Sequence, residues 1–179
     1  MRPLTPFFGL LGLAGCTHVE RRPDPIALDS LLAFSDPKLC EPTAAHFRFL
    51  RSMIGGDANV GFRAGKLVAP ARLRAAFDRI KVKRHDGWWT IGVPVRGSLF
   101  GLPLAEIVHS LPEGGDAGDE TYVFDVPVQR VESVLRARGF PAKSGEDVQL
   151  GPPDGMAHLM SLRSDPDDAR RTVFTCGYE

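Results

Sequence analysis

The sequence predicts an α+β domain: a twisted antiparallel β-sheet with N-terminal helices, and one helix at about 127–138 packed on a face. Three observations predict it. Alternating apolar and polar residues flank Asp86-Gly87, a dipeptide of tight hairpins. Further alternating runs follow at hairpin-length spacing, which implies antiparallel neighbours. Among them lies one well-delimited helical pattern, opened by Pro127 and closed by Gly139.

In chain order, Asp24-Pro25 reads as a helix start, with Asp as cap and Pro in the first position. Leu28, Leu31 and Leu32 fall on one face of that helix, and Ser35-Asp36-Pro37 ends it. A second helix starts at Thr43, carries Phe47, Leu50 and Ile54 at helical spacing, and stops at Gly55-Gly56. A short third helix follows Pro70, with Leu73, Phe77 and Ile80. The period then changes. Residues 80–85 alternate, Asp86-Gly87 turns the chain, and residues 88–95 return with Trp89, Ile91, Val93 and Val95 on one face. Arg96-Gly97 reads as the next turn, into a strand over 99–111 that Gly101 and Pro103 bend or bulge. Residues 113–119 (EGGDAGD) form a loop and 121–126 a strand. In the helix that follows, Val131, Val134 and Leu135 line one face. Residues 147–150, 156–162 and 171–176 are shorter strands, with 164–168 (SDPDD) turning the last pair.

The chain has 179 residues, 43% hydrophobic and 25% charged, the makeup of a folded domain rather than a disordered one. Its 22 basic and 22 acidic side chains cancel, so it carries no electrostatic footprint for nucleic acid.

Residues 1–16 read MRPLTPFFGLLGLAGC. Arg2 precedes an apolar stretch over 7–14, too short to cross a bilayer, which takes ~20 apolar residues. Gly9, Gly12 and Gly15, with Pro3 and Pro6, make a poor soluble helix. A basic end, a short apolar core and small residues form a secretory signal. Leu13-Ala14-Gly15-Cys16 resembles the lipobox of bacterial lipoproteins, a resemblance confined to residues 1–16. It implies alkylation of the Cys16 thiol by diacylglycerol, cleavage between Gly15 and Cys16, and acylation of the new amino group. On that reading 1–15 are signal peptide, 16–24 a polar, flexible tether and 25–179 a single globular domain. Each buried methylene contributes about 0.8 kcal/mol, so two or three acyl chains hold the protein on a membrane. Thr17, rather than Asp, follows the cysteine. By analogy with enteric lipoproteins this implies the outer membrane, facing the periplasm.

With Cys16 lipidated, Cys40 and Cys176 remain, and an even remainder in an oxidising compartment predicts a disulfide between them. Such a bond would tie the N-terminal part to the last strand.

Catalytic signatures are sparse. The histidines are His18, His46, His85, His109 and His158, with no metal-ligand pair at i, i+4, no HExxH and no CxxC. His18 falls in the tether, His46 on the second helix as a partly exposed residue, and His85 beside a hairpin turn. His109 and His158 lie in strands among apolar neighbours, where a hydrogen-bonded sheet residue is the expected role. No G-x-S-x-G elbow occurs, and Ser98 reads as a turn residue. Carboxylates gather at Asp116, Asp119 and Glu120 and again at Asp165, Asp167 and Asp168. Neither group has the spacing of an EF-hand, and both read as solvated acidic turns. Trp88 and Trp89 point to opposite faces of their strand, so one is core and the other an exposed anchor for a partner.

These features predict a lipid-anchored cell-envelope protein, a non-catalytic binding or assembly module without cofactor or metal. Its partners are the membrane, through the anchor, and an envelope protein; nucleic acid is not among them. The alternatives are a lipid-anchored hydrolase built around His109 or His158, and an inhibitor or immunity-type protein directed against a secreted enzyme.

Overall fold

The computed structural model describes residues 25–57, 60–114, 118–151 and 158–178. Cys16, the tether with His18, Asp116 and Met156 lie outside the described residues. The chain runs β1 (Ile26–Ala27), β2 (Phe34–Asp36), β3 (Glu41–Pro42), α1 (Ala44–Met53), β4 (Ile54–Asp57), β5 (Gly61–Ala64), β6 (Lys81–His85), β7 (Trp88–Leu99), β8 (Leu102–Pro112) and β9 (Asp119–Phe124). It continues through α2 (Val128–Ala137), β10 (Asp147–Leu150), β11 (His158–Ser164) and β12 (Thr172–Tyr178). Short 3-10 turns occupy Pro37–Leu39 and Ala71–Ala76.

The fold is α+β, and its main sheet has eight strands in the order β1-β7-β8-β9-β12-β11-β10, with β6 also pairing β7. The sheet is mixed rather than antiparallel throughout, because β1 runs parallel to the end of β7, Ile26 opposite Gly97. The predicted first helix is therefore corrected: Ile26 and Ala27 pair with a strand, and only one helical turn follows. In that turn the N–H groups of Leu31 and Leu32 both donate to the Leu28 carbonyl at 2.9 Å. The three leucines still bury together. Their apolar surface is covered by the sheet, so a longer helix has nothing further to gain.

Thr43 caps α1 as expected, its hydroxyl accepting the His46 N–H at 3.4 Å. The buried stripe is His46, Phe49, Leu50 and Met53, while Phe47 is 54% exposed. Ile54 leaves the helix to open the β4–β5 hairpin. The helix is therefore rotated from the predicted Phe47, Leu50 and Ile54 face.

Asp86-Gly87 makes the predicted tight turn, with φ of 47° and 80°. The next turn is not at Arg96-Gly97. β7 runs on to Leu99, and the chain reverses at Phe100-Gly101, again with both φ positive, 57° and 74°. Gly97 serves another purpose. The register with β8 shifts between Pro94 and Gly97, and a Cβ built on Gly97 would sit 2.8 Å from the Ile26 carbonyl oxygen. Here a strand glycine marks close approach of a neighbouring backbone.

Pro127 opens α2 and Gly139, at φ 93°, follows its end, as predicted; Val131 and Leu135 are buried. The predicted strand at 147–150 is β10.

The core lies on one face of the sheet. Ile91, His109, Glu120, Cys176, Met160 and Val148 are successive partners across β7, β8, β9, β12, β11 and β10. Val93, Ile107, Tyr122, Phe174 and Leu162 form the next row. Phe174 stacks on Tyr122, Phe34 meets it edge-on, Phe140 is edge-on to both phenylalanines, and α1 and α2 complete the layer. Cys40 and Cys176 are joined by a disulfide, Cα to Cα 5.9 Å, as predicted.

Candidate functional site

Side-chain alternation gives the sheet two chemistries. On the core face, His46 from α1 meets Tyr122 from β9: His46 Nε2 lies 2.7 Å from the Tyr122 hydroxyl, which lies 3.3 Å from Glu120 Oε2. His46 Nδ1 is 3.1 Å from the Ala33 carbonyl oxygen, which accepts only, so Nδ1 carries the proton and Nε2 accepts from the phenol. The phenol has a single proton, and His46 Nε2 and Glu120 Oε2 both face it as acceptors. Burial opposes charge on both acceptors. It pulls His46 down to about 4, against the opposing effect of the Ala33 hydrogen bond, and pushes Glu120 up to about 7, against the Tyr122 hydrogen bond. The three side chains are 0%, 0% and 5% exposed, so this chain braces the core out of a ligand's reach.

His109 faces Glu120 across β8 and β9, with its Nδ1 buried and unpartnered. Burial first, and then the charge of Arg51, hold it down to about 4. His158 lies on β11, beyond β9 and β12, so the two sequence-predicted strand histidines do not converge. His85 is exposed and pairs with Asp86 at 2.8 Å. The acidic turn after β11 is neutralised by arginine: Arg170 donates to Asp168 at 2.8 Å, which helps hold that carboxyl down to about 2, and Arg171 lies near Asp125 and Asp165. Among the described residues, no group of three His, Cys, Asp or Glu side chains is placed to hold a metal ion.

The opposite face is built differently. Gly92, Val108, Thr121, Thr175, Ser161 and Asp147 are successive partners across β7, β8, β9, β12, β11 and β10. Thr90, Ser110 and Asp119 form the adjacent row. The hydroxyl residues are half-exposed, and the Thr121 and Thr175 hydroxyls are 3.0 Å apart. Val123 on this face is buried yet stands outside the hydrophobic core cluster.

Trp88, at the start of β7, is 43% exposed on this side, whereas Trp89 turns to the core face with its ring edge-on to Phe62. The predicted split of the two tryptophans therefore holds. Trp88 borders two grooves. One, of about 420 Å³, is lined by Trp88, Asp119, Asp147, Leu159, Ser161, Thr175 and Gly177. The other, of about 330 Å³, is lined by Trp88, Asp119, His85, Asp86, Thr90 and Ser110. Trp88 and Asp119 are common to both. Sequence reasoning singled out the Trp88-Trp89 pair without choosing between them, and missed the hydroxyl rows. Their signal was present as the polar members of each alternating strand, yet which strands lie side by side depends on pairings that local pattern does not contain.

Comparison with protein-family models, curated proteins and solved structures finds no match for this chain.

Proposed function

We infer that the chain is a lipid-anchored, non-catalytic binding module of a bacterial envelope, and that the polar face of its sheet receives the ligand. The observation that carries the binding half is the division of the sheet. One face holds the hydrophobic core, and the other offers an exposed tryptophan between two grooves lined by hydroxyls and carboxylates. The titratable groups with the strongest shifts toward neutrality, His46, His109 and Glu120, project into the core side of the sheet. This supports a binding role over the hydrolase alternative.

The anchoring half rests on the resemblance of residues 13–16 to a lipobox, and the Cys40–Cys176 disulfide agrees with an oxidising compartment. No helix among the described residues is long and apolar enough to cross a membrane, and the proposed attachment is the acyl group on Cys16. On this reading the tether lets the domain stand off the outer membrane in the periplasm and meet an envelope partner.

Metabolic labelling with palmitate tests the anchor. The unaltered chain is expected to take up label and sediment with membranes, and Cys16→Ser to lose both properties. An unlabelled wild-type chain in the soluble fraction would overturn it.

A further inference from the structure

We propose that the polar sheet face binds a neutral, hydroxyl-rich glycan, with one pyranose ring stacked on Trp88 and adjoining units laid along the serine and threonine rows. This rests on the reading of that face as the binding surface, and adds the ligand's chemical class. Three observations carry it.

Trp88 supplies a flat apolar platform, accessible and shared by both grooves. A sugar ring presents C–H groups on its faces and hydroxyls around its edge, and so needs one aromatic plate bordered by polar groups. The outer face offers both, with Thr90 and Ser110 lining one groove that Trp88 borders and Ser161 and Thr175 lining the other.

The polar groups match hydroxyls in kind. Serine and threonine both donate and accept, as sugar hydroxyls do, and Asp119 and Asp147 accept. Asp119 lies directly over Gly177, where any Cβ would collide with its carboxylate oxygen, so the glycine makes the seat for this acceptor. A volume of about 420 Å³ falls within the about 300–1,000 Å³ of small-ligand sites.

Charge then selects among polar ligands. Neither groove is lined by Lys or Arg among the described residues, and both contain Asp119. Anionic chains are disfavoured. Asp147 is already matched by Arg163 at 2.7 Å, which lowers the pull of the larger groove on a polycation. A protein partner would call for a larger apolar centre than Trp88 and Leu159 provide.

The test is a titration of the full chain in detergent micelles, followed by backbone amide NMR. The probes are a neutral β-1,4-linked N-acetylglucosamine tetramer, a galacturonic acid tetramer and tetralysine. The neutral tetramer is expected to bind with a Kd on the order of 0.1–1 mM. It should shift the amides of Thr90, Thr175 and Ser161, and Trp88→Ala should weaken it about tenfold. The two charged probes should give no saturable shift. Absence of saturable binding by the neutral tetramer, binding that Trp88→Ala leaves intact, or binding of tetralysine alone would overturn the glycan assignment. Failure of the binding-face reading itself shows in a different experiment, position-dependent cross-linking from that face.

Discussion

At Glu120, burial opposes ionisation, and the hydrogen bond from the Tyr122 hydroxyl offsets only part of that effect. The consequence for stability has a definite sign. A carboxyl whose folded pKa is raised, here from 4.5 to about 7, stabilises the fold fully below 4.5, and that contribution is lost as the pH rises through 7. His46 and His109, lowered from 6.5 to about 4, act oppositely: their contribution is present above 6.5 and lost as the pH falls through 4. Glu120→Gln keeps the shape and an acceptor for Tyr122 but cannot ionise. Urea unfolding from pH 4 to 8 should therefore show the variant gaining on the wild type by about 3 kcal/mol across that range. Parallel curves would contradict a neutral Glu120. This cluster was poorly legible in the sequence. His46 lies 76 residues from Tyr122, and helical spacing alone gave α1 the wrong rotation, so a wholly buried histidine was read as partly exposed.

Elements whose information is local were legible. The Asp86-Gly87 hairpin, the cap at Thr43 and the helix between Pro127 and Gly139 each carry their own start and stop signals. β1 does not. Two residues pair in parallel with β7 some seventy positions later, and the only trace in the sequence is Gly97, which also fits a turn. The structure assigns that glycine to β1. A Cβ at 97 would lie 2.8 Å from the Ile26 carbonyl and 3.0 Å from Leu28 Cδ1, and the backbone carbonyl has no means of moving aside alone. Gly97→Ala should cost about 1–3 kcal/mol in urea unfolding. It should also speed hydrogen exchange at the Leu28 N–H, which donates to the Ser98 carbonyl at 2.8 Å. Unchanged exchange there would mean that β1 does not depend on the missing side chain.

On the scale of the whole molecule, the Cys40–Cys176 disulfide closes a span of 136 residues. It links the segment before α1 to β12 at the centre of the sheet. Constraint of the unfolded chain over such a span contributes up to about 5 kcal/mol, so the Cys40→Ser, Cys176→Ser double variant should lose several kcal/mol, measured by urea unfolding. The pairing was legible from cysteine arithmetic, once Cys16 is set aside for lipid and an oxidising compartment is expected. The two-faced sheet was half legible: each strand shows its own alternation, but the polar rows form only once β9 lies between β8 and β12. That juxtaposition is also what brings Asp119 to Gly177 and turns scattered hydroxyl residues into a surface. The most direct test of that surface is site-specific photo-cross-linking in cells, with the probe placed in the full chain at Thr90 or Thr175 on the polar face, or at Arg130 on the exposed side of α2. A discrete adduct from the first two positions, abolished by Trp88→Ala and absent from the third, is the expected result; equal labelling from all three, or labelling indifferent to Trp88, would contradict a binding role for this face.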